Sequence, residues 1–242
     1  MSLGKIYGVG LGPGDPDLMS VRADRLLRSA RHVAFFRKPG RDGQARKIVN
    51  GMIPEDALEI PMEYPVTTEI PLDDPRYNQA LSAFYAECAA RLKSLSSQGQ
   101  DVVVLCEGDP FFYGSFMHLY SRLRDVADVE IVPAITGMSG AWTATGDPIT
   151  WGDDVLTVLM GTLPEDDLAR RMAQTDALVV MKIGRNIDKV KRALRTAGLY
   201  DRAWIVEFAQ MQNQRVCKLS DDCAEIAPYF SIIIVHGQGR RP

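Results

Sequence analysis

The sequence predicts an α/β fold, because apolar runs typical of strands alternate with amphipathic helical patterns along all 242 residues. Two loops support this fold class. The first apolar run ends in Gly8-Val9-Gly10-Leu11-Gly12-Pro13-Gly14-Asp15, and the run 102–106 ends in Glu107-Gly108-Asp109-Pro110. Ligands of open α/β sheets bind beyond the carboxyl ends of the strands, so the two loops predict one shared ligand site.

The elements follow in chain order. In the first half, strands are predicted at residues 4–10, 32–36, 102–106 and 129–132. In the second half, strands are predicted at residues 154–159, 177–182, 203–207, 214–219 and 230–235. A first helix is predicted over residues 18–30, with Asp17 as its N-cap. Further helices are predicted over residues 76–95, 115–123, 137–145 and 186–196, the last of them stopped by Gly198.

A chain of this length forms one large domain or two smaller ones. We place a boundary after residue 128, which gives an N-terminal α/β domain at 1–128 and a C-terminal α/β domain at 129–242. Residues 61–75 interrupt the alternation, because their four prolines exclude a regular helix. A loop of that length inside a compact domain is usually functional.

Composition argues against several classes of function. The net charge is −3 and the basic residues are concentrated in one short run, which disfavours a nucleic-acid partner. No apolar stretch approaches the roughly 20 residues of a membrane span, and residues 1–20 lack the pattern of a signal peptide. The three histidines are isolated and the four cysteines show no C-x-x-C spacing, so we expect no metal site and a cytoplasmic location.

The first loop is not a phosphate cradle. It lacks the G-x-G-x-x-G spacing of dinucleotide-binding folds, and no G-K-S/T sequence follows it. Pro13 has no backbone N–H, and Asp15 and Asp17 would repel a phosphate. The loop therefore suits a ligand that carries positive charge and ribose hydroxyls. The alternative is an ordinary strand-to-helix turn.

Two other loops have the same ambiguity. Asp109 either contacts a ligand or forms an ordinary Asp-Pro turn. In the third loop, at residues 133–140, Thr136 is a helix N-cap, a ligand contact or both. Each loop is a weak signal alone, but the three in this order and spacing are specific.

Together they resemble the class III, cobalamin-pathway tetrapyrrole methyltransferases, a superfamily that also contains diphthine synthase. The resemblance spans nearly the whole chain, through residues 8–15, 107–114, 133–139, 179–182 and 206–210. Within the superfamily, residues 106–117 and 136–140 are similar to the subgroup that methylates precorrin-2 at C-20, and the insert 61–75 also fits that subgroup.

The resemblance implies two α/β domains with mixed sheets, S-adenosylmethionine in the interdomain cleft, and a homodimer. The implied activity is methylation of precorrin-2 at C-20 to give precorrin-3A in corrin-ring biosynthesis, with S-adenosylhomocysteine as the second product. Carried over position by position, the implied cofactor contacts are Pro13, Glu107, Gly108, Asp109, Phe112, Thr136, Gly137, Met181, Ala209 and Gln210.

The chain departs from the superfamily at a few positions. Enzymes that methylate uroporphyrinogen III have an aspartate after the second strand, where this chain has Phe36-Arg37-Lys38. That difference weakens a uroporphyrinogen assignment. Ala134 stands where glycine is commoner, and Gly137 stands where alanine is commoner, which affects only local contacts.

A tetrapyrrole substrate carries several carboxylates, and residues 37–47 contain five basic residues and one acidic residue. Because arginine binds carboxylates with two parallel hydrogen bonds, this run predicts carboxylate clamps. The predicted substrate contacts are Arg37, Lys38, Arg41, Arg46, Lys47 and, outside the run, Tyr113. The alternative is a solvated loop, or the polar face of a helix that starts near Gln44.

Methyl transfer from a sulfonium requires neither a metal nor a nucleophilic triad, and chiefly needs the reacting carbon to be held against the methyl group. A base that collects a proton is a further requirement, for which Glu107 and Asp15 are candidates only. Three alternatives remain: a cobalt-loaded substrate or another ring position, a protein methylase similar to diphthine synthase, and a noncatalytic ligand-binding protein.

Overall fold

A computed structural model describes residues 3–66, 74–221 and 226–241. The chain divides into two compact units, Met1–Thr136 and Gly137–Pro242. The central part of the proline-rich insert, residues 67–73, and Cys223 lie outside the described residues. Within the described ranges, no helix has the length and apolar character needed to cross a membrane.

The first unit is a five-stranded sheet with helices on both faces. Its elements are β1 (Lys5–Gly10), α1 (Val21–Arg28), β2 (His32–Arg37), α2 (Gln44–Ile48), β3 (Leu58–Glu63), α3 (Pro75–Ser97), β4 (Val102–Cys106), α4 (Phe116–Leu123) and β5 (Asp128–Val132). The strand order is β3-β2-β4-β1-β5, and neighbouring strands pair in parallel.

The two faces of this sheet bury separate cores. On one face, Leu27 of α1 and Ile48 of α2 pack with Val9 and Leu105 of the central strands. On the other face, α3 and α4 pack on the alternate strand residues, with Phe116 of α4 fully buried. β1 therefore leads into one layer and β4 into the other. This reversal makes the gap between β1 and β4 the switch point of the sheet, where open α/β sheets bind their ligands.

The second unit contains a mixed sheet. Its elements are α5 (Gly137–Ala144), β6 (Leu156–Met160), α6 (Glu165–Met172), β7 (Ala177–Met181), α7 (Ile187–Thr196), β8 (Ala203–Glu207), β9 (Arg215–Lys218) and β10 (Ser231–Val235). The strand order is β6-β7-β10-β8-β9. β6 and β7 are parallel, whereas β10 is antiparallel to both β7 and β8. The carboxyl ends of β7 and β8 therefore lie at one edge of this sheet.

The predicted α/β fold is confirmed. All nine predicted strands are present, and each begins and ends within two residues of its predicted bounds. β3, α2 and α6 were not predicted as elements, although a helix near Gln44 was the stated alternative for the basic run. Residues 61–63 belong to β3 rather than to a loop. Strand pairing places β5 in the first unit, so that unit ends at Thr136 and not at the predicted residue 128.

The start of α1 also differs from the prediction. Ser20, not Asp17, is its N-cap, and the Ser20 hydroxyl accepts a hydrogen bond from Ala23 N at 3.1 Å. Asp15 instead accepts from Asp17 N at 2.9 Å and caps the short 3-10 turn Pro16–Leu18. The turn exists because Pro16 fixes a backbone angle that suits a first helical position.

The sheet depends on Gly8 as a point of close approach to α4. A Cβ at this position would lie 2.4 Å from the nearest ring atoms of Phe116, whose side chain is fully buried. Real Cβ atoms do not come so close, so a side chain here would displace the ring or the helix.

We expect Gly8→Ala to destabilise the protein by about 1–3 kcal/mol, the usual cost of overpacking a core. Urea denaturation of the variant and the parent protein measures this difference. Gly137→Ala is the matched control, because its Cβ would be 3.7 Å from the nearest atom, Ile232 Cδ1. Equal losses in the two variants would contradict the assigned packing.

Candidate functional site

The first two glycine loops meet at the switch point of the first sheet. Leu11 N donates to Cys106 O at 3.0 Å, and Gly108 N donates to Gly12 O at 2.9 Å. Gly12 and Gly108 have φ angles of 81° and 64°, a region that favours glycine. The two loops are thus joined through their backbones, as their positions after neighbouring parallel strands predicted.

The third loop joins them at Gly10. A Cβ on Gly10 would lie 2.6 Å from Ala134 Cβ, 2.8 Å from Gly108 O and 2.9 Å from Pro110 Cδ. Only a residue without a side chain lets the three loops come this close. The alanine at 134, which differs from the commoner glycine, therefore takes up the space beside Gly10.

Asp109 fastens the second loop to the third. Its Oδ1 accepts from Phe111 N at 2.9 Å, and its Oδ2 accepts from Ala134 N at 3.0 Å. The first bond is the expected Asp-Pro turn, and the second connects segments 25 residues apart. Both carboxylate oxygens therefore have a backbone partner, which gives Asp109 a clear structural role whether or not it contacts a ligand.

Glu107 is directed toward α2. Its Oε1 accepts a hydrogen bond from Ala45 N at 3.0 Å, in the first turn of a helix whose N-cap residue, Gly43, offers no side-chain cap. Glu107 is an exposed residue, but desolvation of its carboxyl group by the surrounding protein raises its pKa, an effect that the bond from Ala45 partly opposes. In the described ranges, no basic side chain forms an ion pair with Glu107.

The other predicted contacts in the first unit are distributed around these loops. Pro13 is buried, Phe112 is half-buried, and Tyr113 is 46% exposed with a left-handed φ of 55°. Such a conformation is uncommon outside glycine and is concentrated at functional sites. Thr136 is half-buried and directly precedes α5.

In the second unit, the predicted contacts occupy the carboxyl edge of the sheet. Met181 ends β7, and Ala209 follows β8 and packs with Ala141 and Ile234. Gln210 donates from Nε2 to Gly140 O at 3.1 Å, which ties the end of β8 to α5. The residue types at these strand ends were predicted, but their backbone geometry was not.

Three residues at this edge have left-handed backbones. Lys182, Phe208 and Gln210 have φ angles of 53°, 52° and 59°. Each costs of order 1 kcal/mol in a residue that has a Cβ, and is retained only where the surroundings enforce it. Sequence patterns carry no signal for such angles, so Lys182 and Phe208 were not singled out.

The basic run 37–47 surrounds a cavity of about 320 Å³. The cavity is lined by Phe35, Arg37, Asp42, Arg46, Lys47, Asn50 and Glu59. Three of the five predicted clamps are therefore brought together, whereas Lys38 and Arg41 are exposed and do not line it.

Two of the three cavity arginine and lysine side chains already have carboxylate partners within the protein. Arg37 pairs with Glu63 at 2.7 Å, and Arg46 pairs with Glu59 at 2.7 Å. The hydrogen bond from Arg46 lowers the pKa of Glu59, so this carboxylate stays ionised. These glutamates on β3 were missed because β3 itself was not predicted.

No set of three or more His, Cys, Asp or Glu side chains within the described segments could hold a metal ion. Burial raises the pKa of the Cys88 thiol to about 11 and that of Cys106 further still. Both are free cysteines, and as packed thiols they remain protonated at neutral pH.

Comparison with known proteins gives a consistent result. A family model described as tetrapyrrole (corrin/porphyrin) methylases matches residues 5–221. A precorrin-2 C(20)-methyltransferase from a Sinorhizobium species is 46% identical over 242 residues, which cover 100% of this chain and 99% of that protein. A cobalt-precorrin-2 C(20)-methyltransferase from Salmonella typhimurium is 28% identical over 240 residues, 97% of each chain.

A solved structure shows the same fold. The uroporphyrin-III C-methyl transferase from Thermus thermophilus, complexed with S-adenyl homocysteine, superposes with a TM-score of 0.67 at 22% identity. The match covers 96% of this chain and 92% of the other.

The two hydrogen bonds of Asp109 predict that its removal changes hydrogen exchange at particular backbone amides. In Asp109→Ala, we expect the amide hydrogens of Phe111 and Ala134 to exchange faster, with a loss of about 1–2 kcal/mol in stability from the two missing hydrogen bonds. Hydrogen exchange followed by NMR measures both amides. Asp15→Ala is the control, and it should speed hydrogen exchange only at the amide of Asp17. Unchanged exchange at Ala134 would contradict the link between the loops.

Proposed function

Because the chain belongs to the tetrapyrrole (corrin/porphyrin) methylase family, we propose that it transfers a methyl group from S-adenosylmethionine to C-20 of precorrin-2, giving precorrin-3A in corrin-ring biosynthesis. The observation that carries this proposal is the 46% identity, over the full length of both chains, to a precorrin-2 C(20)-methyltransferase. Identity to the cobalt-substrate enzyme is 28%, which favours the metal-free substrate.

The residues at the switch point fit the family's methyl donor, which is a cation with ribose hydroxyls. Glu107 and Asp109 place two carboxyl groups there, and Pro13 removes a donor that a phosphate would need. Among the described residues, neither carboxylate has a Lys, Arg or His partner, so their negative charge is available to a positive ligand. The bound donor supplies an electrophilic methyl group.

We propose that the predicted contact residues of each unit bind the cofactor. In the first unit these are Pro13, Glu107, Gly108, Asp109, Phe112 and Thr136. In the second unit they are Gly137, Met181, Ala209 and Gln210. Support comes from their positions at the carboxyl edges of the two sheets, from the left-handed backbones at Tyr113 and Gln210, and from the close approach of the loops at Gly10.

The substrate side of the proposal rests on shape and charge. Phe111, Tyr113 and Met117 are 45%, 46% and 38% exposed, although they are large and apolar. Such a surface suits a flat macrocycle. The 320 Å³ cavity can take a carboxylate arm of a tetrapyrrole but not the macrocycle itself, and Arg37, Arg46 and Lys47 supply its positive charge. A guanidinium has five donors, so an ion pair with Glu59 or Glu63 leaves others for a substrate carboxylate.

A homodimer and a cytoplasmic location complete the proposal, on the basis of the family resemblance. Sedimentation velocity on the purified protein tests the first. Fractionation of the native host tests the second.

The primary experiment is anaerobic incubation of the purified protein with precorrin-2 and S-adenosylmethionine, followed by product mass and NMR of a labelled methyl group. One added methyl at C-20 is the expected result. A methyl at another carbon would retain the family and overturn the ring position. Turnover only with the cobalt-loaded substrate would overturn the metal-free assignment, and cofactor binding without any turnover would overturn the enzyme proposal.

The cavity makes a second prediction. We expect Lys47→Glu to raise the KM for precorrin-2 at least about tenfold, because it replaces an attraction to a carboxylate by a repulsion. The affinity for S-adenosylmethionine should not change. Steady-state kinetics and calorimetry measure the two quantities.

Lys93→Glu on the exposed side of α3 is the matched control for charge, since Lys93 lines no part of the cavity. An unchanged KM in Lys47→Glu would remove the cavity from the substrate site.

A further inference from the structure

The site contains one carboxyl group whose role is not accounted for by the fold. The two loops that meet at the switch point, residues 8–15 and 107–110, contain three acidic residues, namely Asp15, Glu107 and Asp109. Asp109 gives both oxygens to backbone N–H groups of the second and third loops. Asp15 caps the 3-10 turn that precedes α1. Glu107 differs because its hydrogen bond leaves its own loop: Oε1 accepts from Ala45 N of α2, 62 residues away in the sequence.

The position of Glu107 is fixed by α2. Alternation along β4 places Glu107 on the same face as Val103 and Leu105, which is the face covered by α1 and α2. The Ala45 N–H then holds Oε1 at 3.0 Å. A single bond of this kind orients the carboxyl group while its second oxygen remains available.

The same helix carries two of the three basic side chains of the cavity. Arg46, Lys47 and Asn50 line the cavity, and Arg46 and Lys47 directly follow Ala45 along the chain. A substrate arm bound in the cavity would therefore lie against the helix that orients Glu107. The helix that supplies basic side chains to the proposed carboxylate-binding subsite therefore also orients the carboxyl group of Glu107, which follows β4.

The surroundings of Glu107 favour uptake of a proton. Desolvation raises the pKa of Glu107, so its conjugate acid is more stable than that of an ordinary glutamate. In the described part of the chain, no ion pair with a basic side chain opposes that effect. A base suited to neutral pH has these properties.

We propose that Glu107 is the base that accepts the proton lost from C-20 after methyl transfer; this inference rests on the proposed function. A bond forms between C-20 and the methyl carbon while the methyl–sulfur bond breaks and leaves its electron pair on sulfur. C-20 then carries both a methyl group and a hydrogen, and the macrocycle carries the positive charge. The C-20–H bond breaks, its electron pair returns to the macrocycle, and the proton passes to a Glu107 carboxylate oxygen.

The test uses Glu107→Gln, whose amide oxygen can still accept the hydrogen bond from Ala45 N but cannot act as a base. At saturating S-adenosylmethionine, we expect kcat to fall about 100-fold, within the usual range for loss of a general base. With precorrin-2 deuterated at C-20, we expect the isotope effect on kcat to be larger in Glu107→Gln than in the parent protein, because proton removal becomes rate-limiting. Glu87→Gln, an exposed position on α3, is the matched control.

A second variant separates chemistry from folding. In Glu107→Ala, added formate should restore activity in proportion to its concentration, because it supplies a small carboxylate where the side chain is missing. Thermal melting of each variant establishes that it is folded.

The outcomes are distinguishable. A kcat in Glu107→Gln close to that of the parent, with no change in isotope effect, would overturn the role of Glu107. Weaker S-adenosylmethionine binding in Glu107→Gln, with a parent-like kcat once the cofactor is saturating, would limit the residue to cofactor binding and overturn its role as the base. If the parent protein itself forms no C-20 product, the proposed function fails, and the inference fails with it.

Discussion

The close contact of backbones at the switch point is the constraint on which the site depends. β1 and β4 are adjacent and parallel, but their connections leave toward opposite faces of the sheet. Their loops can meet only if no side chain stands between them, which Gly10 satisfies. The bond from Gly108 N to Gly12 O then fixes both loops. Asp109 extends this unit to the third loop, so three distant segments of chain form one rigid surface.

Local sequence patterns were sufficient for most of the fold. Strands such as β4 are continuous apolar runs bounded by turn residues, so they are recognised without knowledge of their neighbours. β3 was missed because it contains Pro61 and because charged residues interrupt its apolar residues. Pro61 is tolerated there because β3 is an edge strand, with β2 its only described neighbour in the sheet. The five-residue helix α2 is too short for helical periodicity to distinguish it from a loop.

The candidate site was predicted by residue type but not by interaction. The loops, the strand ends and the basic run all came from the sequence, whereas the partners of each side chain did not. Glu107 and Ala45 are 62 residues apart, and Arg37 and Glu63 are 26 apart, so only the strand order brings either pair together. The interpretation of the basic run as free clamps omitted the acidic residues of β3, since that strand was not recognised.

The three acidic residues at the switch point show how side-chain length divides their roles. An aspartate reaches the N–H groups of its own turn, and Asp15 and Asp109 both bond to an N–H two residues ahead. The glutamate side chain is one methylene longer and fits the short hydrogen-bonded ring of such a turn poorly. Glu107 instead reaches across to α2. Asp15 stabilises its own loop, and Asp109 stabilises its own turn and also links the second loop to the third. A carboxyl group that reaches past its turn with a single bond is both positioned and chemically available, and at this edge of the sheet that group is Glu107.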